Sequence, residues 1–143
     1  MASAEEHRAR IRAGRDALQQ AIAAAGPRWE LSPGGDDEAS WAPRKVAEHI
    51  VASDRYFTAM IATVMEGKPP ARIEYAFADP TEAIAALDAS TVDCDKVLRY
   101  IEERDLAKAV PLPERIPAPK TIEGTLQLLA HHLQDHARQI GGA

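Results

Sequence analysis

TIEGTLQLLAHHLQDHARQI, residues 121–140, has the periodicity of an amphipathic α-helix. Its apolar residues recur every three or four positions and therefore fall on one stripe of the helix, formed by Ile122, Leu126, Leu129, Leu133, Ala137 and Ile140. We expect the helix to begin near Thr121 and to end at Ile140, before Gly141-Gly142, since glycine commonly follows a helix C-terminus. A helix with a single apolar stripe must bury it against other elements, so the chain has to supply partners for it.

Three earlier segments are predicted to be the partner helices, at residues 3–26, 43–67 and 79–103. The first opens with a capping box and ends at a Gly-Pro pair, the second opens with a proline, and the third opens with Asp-Pro, which suits the N-cap and first helical positions. Each carries apolar residues at helical spacing, and almost no segment alternates as a strand would. The sequence therefore predicts an all-α four-helix bundle that forms a single domain over residues 1–143.

Long connections separate the predicted helices. Residues 27–40 contain two prolines and a Gly-Gly pair, and residues 105–120 contain four prolines. Tight antiparallel bundles usually have shorter connections, so each segment is expected either to cross the end of the bundle or to cover a pocket. Residues 71–78 and 109–116 have some extended character and are interpreted as loops.

The composition is that of an ordinary globular protein, with 45% hydrophobic and 27% charged residues. The formal net charge of −5 provides no electrostatic footprint for nucleic acid, so we expect no nucleic-acid partner. No apolar run approaches the roughly 20 residues of a membrane-spanning helix, and residues 1–15 lack the apolar centre of a signal peptide, so we expect no membrane association and a cytoplasmic location. The single cysteine, Cys94, excludes an internal disulfide and is expected to pack as a small buried side chain.

Three of the five histidines fall beside apolar stripes. His132 and His136 are one helical turn apart, which allows both imidazoles to bind one ion while the backbone stays helical. His49 borders the stripe of the second helix, whereas His131 points to the opposite side of the last helix and is expected in solvent. Three histidines that leave coordination positions open form a recognised type of catalytic metal site. The spacing leaves two alternatives open, namely a structural histidine pair and a core-edge histidine that serves packing.

Two blocks of the sequence resemble the DinB-like family. The first is WAPRKVAEHI at residues 41–50, followed by DRYF at 54–57; the family typically has an aromatic residue, a proline two positions on, and then an aliphatic-x-x-His ending. The second is TIEGTL at 121–126, followed by HLQDHARQI at 132–140. The order, spacing and helical placement of these blocks are similar to the family pattern over nearly the whole chain.

The resemblance implies a four-helix bundle with up-down-down-up topology that forms a homodimer. It also implies a divalent metal, which would be zinc, nickel or iron, with His49, His132 and His136 as ligands. Some DinB-like relatives are transferases that use a low-molecular-weight thiol such as mycothiol, bacillithiol or glutathione. By this analogy we expect a thiol-dependent transferase, or a hydrolase, that activates a thiol or water and acts on a small-molecule substrate. The alternative is a non-catalytic DinB-like protein that binds metal or forms a dimer.

Three further residues are candidates for supporting roles beside the metal. Gln139 lies one turn beyond His136, and either orients a ligand or ends the helix as an amide in solvent. Tyr56 and Ser53 neighbour His49, and either line a pocket or pack at the edge of the core. No side chain is assigned a catalytic role. Gln139 and Tyr56 are candidates only for positioning a metal-bound water or thiol.

Four other conspicuous residues are not expected to be metal ligands. Glu48 is next to His49 in sequence but points about 100° away from it around the helix. Asp135 lies nearer the polar face of the last helix than His132 and His136 do. Trp29 and Trp41 flank the connection at 27–40 and are expected to anchor it by packing, with lining the mouth of the site as the alternative.

Overall fold

The computed structural model describes residues 2–142 of the chain. It contains four long helices, which are α1 (Ala4–Ala24), α2 (Pro43–Val64), α3 (Pro80–Leu98) and α4 (Ile122–Gly141). Short 3-10 turns lie in the connections, and no strand forms within the described range. The predicted all-α four-helix bundle is therefore confirmed. No helix in residues 2–142 has the length and apolarity required to cross a bilayer.

The starts of the helices follow from local sequence. The side chains of Ser3, Asp79 and Thr121 each accept a hydrogen bond from the backbone N–H three residues further on. Such caps satisfy backbone donors that have no partner inside the helix. α2 has no side-chain cap and begins at Pro43, which has no N–H to satisfy and a backbone angle already suited to a helix.

The helices are not arranged around the bundle in chain order. α1 packs against α3 and α4, and α2 also packs against α3 and α4. α1 and α2 are therefore diagonal neighbours, as are α3 and α4. Each of these diagonal pairs is consecutive in the chain, so the connections at 25–42 and 99–121 must cross an end of the bundle, which explains their length.

The connection between α2 and α3 runs back along α2. Its early residue Ala71 accepts a hydrogen bond from Arg55 Nε at 2.7 Å, in the middle of α2. Its late residue Phe77 donates from its backbone N to the Glu48 carboxylate at 2.8 Å, near the start of α2. α3 therefore begins beside the start of α2 and runs parallel to it.

α1 runs parallel to α4 and antiparallel to α3. Near the start of both helices, His7 Nε2 and Glu123 Oε2 are 2.9 Å apart. From the same end of α1, Arg8 Nη1 donates to the backbone oxygens of Leu98 and Ile101, at 3.1 and 2.8 Å, where α3 ends. Together with the parallel α2 and α3, these contacts confirm the predicted up-down-down-up topology.

The predicted end of the third helix was wrong by about one turn. The sequence predicted a helix to about Glu103, but α3 ends at Leu98. Apolar periodicity continues to Ile101, which is buried, although its backbone has already left the helix. The Arg8 guanidinium from α1 binds the carbonyl groups exposed at this helix end, a contact that the local sequence of α3 does not reveal.

A buried ion network crosses the centre of the bundle. Arg15 of α1 donates to both carboxylate oxygens of Asp54 on α2, at 3.0 and 3.1 Å, and to Asp95 of α3 at 2.8 Å. Arg15 and Asp54 are only 4% and 1% exposed. The ion pair thus joins α1 to α2 across the diagonal, where the two helices otherwise contact each other little.

We expect Arg15→Met to lower the free energy of unfolding by about 3 kcal/mol or more, because it leaves the Asp54 carboxylate buried without its partner. Urea denaturation followed by far-UV circular dichroism measures this loss. Arg12→Met is the matched control on the same helix, since Arg12 pairs with Glu5 at the surface, and it should leave stability nearly unchanged. Equal destabilisation by the two substitutions would contradict the structural role of the buried pair.

Candidate metal centre

Three histidine side chains converge between α2 and α4. His49 lies in the second turn of α2, and His132 and His136 lie one turn apart on α4. One ring nitrogen from each histidine lies within 4.8 Å of the other two. The His132 and His136 Nε2 atoms are 2.9 Å apart, and the centroid of the His49 ring lies 5.5 and 5.2 Å from theirs. The antiparallel packing of α2 against α4 thus brings together residues that are far apart in sequence.

Gln139 fixes the ring orientation of His136. Its side-chain Nε2 donates to the backbone oxygen of Glu38 at 2.8 Å, which turns its Oε1 toward His136 Nδ1, also at 2.8 Å. An amide oxygen can only accept a hydrogen bond, so His136 carries its proton on Nδ1 and presents the lone pair of Nε2 to the other histidines. Gln139 is therefore hydrogen-bonded within the site and is not a free amide in solvent.

Burial favours the neutral form of two of the histidines. Burial, followed by the neighbouring His136 and His49, lowers the pKa of His132 to about 4. Burial is also the main cause of the lowered pKa of His49, with His136 as the next. Metal ions bind the neutral imidazole, so His132 and His49 are in the ligating form at neutral pH.

The donor set fits a divalent transition metal. All three donors are imidazole nitrogens, which suit zinc, nickel and iron. The two Nε2 atoms of His132 and His136 approach each other more closely than ligand atoms in a tetrahedral site with bonds of about 2.0–2.1 Å, so only a small adjustment is needed to admit an ion between them. The three histidines could therefore hold one metal ion.

A carboxylate that no sequence pattern marks also faces the histidines. Glu38 lies in a short 3-10 turn of the α1–α2 connection, and its Oε1 is 3.5 Å from His136 Nε2 and 3.8 Å from His49 Nε2. Its position depends on the path of a loop across the end of the bundle, so neither periodicity nor motif spacing marks it. Only one indication of a residue from this connection near the site was available from the sequence, namely that the long segment 27–40 was expected to cross the end of the bundle or to cover a pocket.

A cleft of about 760 Å³ opens beside His49, between α2 and the connection that follows it. Tyr56 and Ser53 both line this cleft. Tyr56 is exposed and its ring packs edge-on against Phe57 at 5.1 Å. Tyr56 forms no hydrogen bond to a histidine within residues 2–142, so it lies on the wall of the cleft and does not support the rings directly.

The two tryptophans have different environments. Trp29 is buried and its Nε1 donates to the backbone oxygen of Phe77 at 3.3 Å, so it anchors the connection by packing. Trp41 also packs partly against the core, but its ring contacts His49 edge-on at 5.4 Å and lines the cleft. Lys45 Nζ lies 4.5 Å above the Trp41 ring. Trp41 therefore shapes the approach to His49 as well as holding the loop.

Several residues expected away from the histidine cluster do lie away from it. His131 is exposed and pairs with Asp135 at 2.9 Å. Glu48 lines the cleft beside His49, but its carboxylate accepts a hydrogen bond from the backbone N–H of Phe77 and is not part of the histidine group. Cys94 is buried in α3, and this burial raises the pKa of its thiol to about 11, which leaves it protonated and unreactive at neutral pH.

An up-down-down-up bundle whose second and fourth helices bring three histidines together beside a cleft defines a class of helical-bundle protein with a candidate metal centre. The family model of the DinB superfamily matches residues 27–140, a range that includes all three histidines. The chain belongs to the DinB superfamily, and the resemblance noted in the sequence is confirmed. No curated protein and no solved structure gives a significant match to the chain.

We expect His136 to be protonated at Nδ1 in protein freed of metal by chelation, because Gln139 accepts the hydrogen bond from that atom. Long-range proton–nitrogen NMR correlation spectra distinguish the two tautomers. Gln139→Ala removes the acceptor and should produce a mixture of tautomers at His136. Gln127→Ala, on the exposed side of α4, is the control and should leave His136 unchanged. A wild-type His136 that is protonated at Nε2 would show that Gln139 does not set the tautomer.

Proposed function

We propose that this protein is a metal-dependent enzyme, in which His49, His132 and His136 hold one divalent transition metal that activates a thiol for transfer to a small electrophilic substrate. The observation that carries the proposal is the convergence of three ring nitrogens, within 4.8 Å of one another, at the side of an open cleft. Membership of the DinB superfamily supports thiol transfer by analogy with relatives that are thiol transferases, which is a weaker argument than the geometry.

An ion held by the three histidines would supply Lewis-acid chemistry, because it would lower the pKa of a coordinated thiol or water toward neutrality. The protein supplies the positioning. α2 and α4 hold the three imidazoles on rigid backbone, and Gln139 orients His136. His49 keeps 34% of its side chain exposed, so substrates can approach the centre from its side.

The cleft suits a small molecule that has an apolar body and an anionic group. The aromatic rings of Trp41, Tyr56 and Tyr75 contribute to its lining. Lys45 also lines it and forms no ion pair with a carboxylate within residues 2–142, which leaves its ammonium group available to a substrate anion. A carboxylate or similar group on the thiol or on its electrophilic partner would be held there, next to His49.

In the transfer reaction, the thiol loses its proton to solvent and its sulfur forms a bond to an electrophilic carbon of the second substrate. The group displaced from that carbon leaves with the bonding electron pair. Hydrolysis is the second candidate reaction, because the exposure of His49 gives water the same access to the centre. In that case water takes the place of the thiol as the nucleophile.

The metal site is tested by comparing two adjacent histidines on α4. Wild-type protein and His131→Ala should retain a nearly stoichiometric transition metal, whereas His132→Ala should lose it, because His132 faces His49 and His136 while His131 faces solvent. Elemental mass spectrometry of tag-free proteins, purified without chelators and then dialysed against zinc or nickel, measures the content. Equal metal content in the two alanine variants would exclude His132 as a ligand.

The reaction is tested with metal-loaded protein, a panel of glutathione, mycothiol and bacillithiol, and an alkylating electrophile, with an ester substrate in parallel. We expect turnover that requires a thiol and falls by at least about a hundredfold in His49→Ala, since metal activation contributes several kcal/mol to such reactions. His131→Ala is again the control. Turnover of the ester without a thiol would favour the hydrolase, and bound metal without either activity would favour a non-catalytic role.

A further inference from the structure

The α1–α2 connection directs a carboxylate at the histidine cluster. Glu38 Oε1 is 3.5 Å from His136 Nε2 and 3.8 Å from His49 Nε2, while the two Nε2 atoms of His136 and His132 are 2.9 Å apart. The carboxylate thus approaches the histidine nitrogens from the α1–α2 connection, whereas the histidines come from α2 and α4. Its oxygen lies close to two atoms that would bind the proposed metal.

The backbone at Glu38 is held in place by two hydrogen bonds. The side chain of Gln139 donates to the Glu38 backbone oxygen at 2.8 Å, and the backbone N–H of Trp41 donates to the same oxygen at 3.2 Å. The amide that orients His136 therefore also fixes the turn that carries Glu38. This arrangement couples the position of the carboxylate to the position of a proposed ligand ring.

The Glu38 carboxylate has no conventional counter-ion. Within residues 2–142, no lysine or arginine nitrogen lies within 4.0 Å of it, and its only basic neighbours are His49 and His136. Its side chain is 55% exposed, so its carboxylate stays hydrated and adjustable. A negative group that faces imidazole nitrogens without another cation nearby is the arrangement that a metal cation would complete.

Two of the separations from Glu38 to the histidines are close to those of a four-coordinate shell. In a tetrahedral site with metal–nitrogen and metal–oxygen bonds of about 2.0–2.2 Å, neighbouring ligand atoms lie roughly 3.3–3.5 Å apart. The separations from Glu38 Oε1 to His136 and His49, 3.5 and 3.8 Å, are at or slightly above this range, and the His132–His136 separation of 2.9 Å is below it. Glu38 is not among the residues whose ligand atoms all lie within 4.8 Å of one another, so its carboxylate has to move toward His132 to complete the shell. Its side chain is 55% exposed and has room to rotate.

We propose that Glu38 is the fourth protein ligand of the metal centre, and that it completes a shell of three imidazole nitrogens and one carboxylate oxygen. This inference rests on the metal site of the proposed function. It changes the expected resting state, because the fourth position is filled by a side chain from a connection and not by solvent. Of the four ligands, Glu38 would be the one on an exposed loop turn, so it would be the ligand to yield its position to a substrate thiol.

The test compares Glu38→Gln with wild type and with Asp37→Asn, which removes the neighbouring exposed carboxylate of the same connection. Cobalt(II) is the probe, because its visible absorption reports both the number and the type of ligands, and zinc competition gives relative affinities. We expect Glu38→Gln to weaken metal binding by at least about tenfold and to change the cobalt spectrum, since even residues beyond the direct ligands have effects of this size. Asp37→Asn should match wild type in both measurements.

The possible outcomes separate this inference from the proposed function. If wild type binds cobalt and Glu38→Gln has the same affinity and spectrum, the carboxylate is not a ligand, although the three-histidine site stands. If wild type binds neither cobalt nor zinc, both proposals fail. Circular dichroism and thermal unfolding of the metal-free proteins ensure that a weaker affinity is not caused by misfolding, and the exposed position of Glu38 predicts that all three proteins unfold alike.

Discussion

The buried ion pair between Arg15 and Asp54 is the interaction that constrains the arrangement of the bundle. It connects α1 with α2 across the diagonal, where the two helices contact each other little, and Asp95 of α3 adds a second acceptor. A shift of either helix along its axis would leave a charge buried without a partner, which costs about 3–5 kcal/mol. The pair therefore fixes the register of α2. Since His49 is on the same helix, its depth in the bundle is fixed as well.

α1 also determines where α4 lies, although it contributes no histidine to the cluster. A Cβ atom on Gly14 would lie 2.8 Å from the Cβ of Leu133, so the absence of a side chain at Gly14 allows the two helices to approach closely. Leu133 immediately follows His132 in sequence. The histidines on α2 and α4 are thus both positioned relative to α1, the one helix that lies outside the matched family range of 27–140. The matched range contains the three histidines, and α1, which precedes it, contacts both of the helices that carry them.

The sequence was sufficient to predict the parts of this structure that depend on local periodicity. The four helices, the outward direction of His131 and the inward direction of the pair on α4 follow from helical geometry. What it missed depends on contacts between distant segments. α3 ends at Leu98, where Arg8 from α1 binds the Leu98 and Ile101 carbonyl groups. The contact of Trp41 with His49 depends on how the connection before α2 folds. The carboxylate of Glu38 was missed for the same reason, since its neighbour Gln139 is 101 residues away.

The topology links the rigid and the adjustable parts of the candidate site. Because consecutive helices are diagonal neighbours or run parallel, the chain requires long connections, and two of these border the candidate site. The connection before α2 carries Glu38 and leads into Trp41, and the connection after α2 forms the far wall of the cleft. Helices hold the three nitrogens in a fixed geometry, which a metal site requires. Loops tolerate changes in sequence and length more readily than helices do. A bundle of this connectivity can therefore keep one metal-binding geometry while the surfaces that select a substrate change.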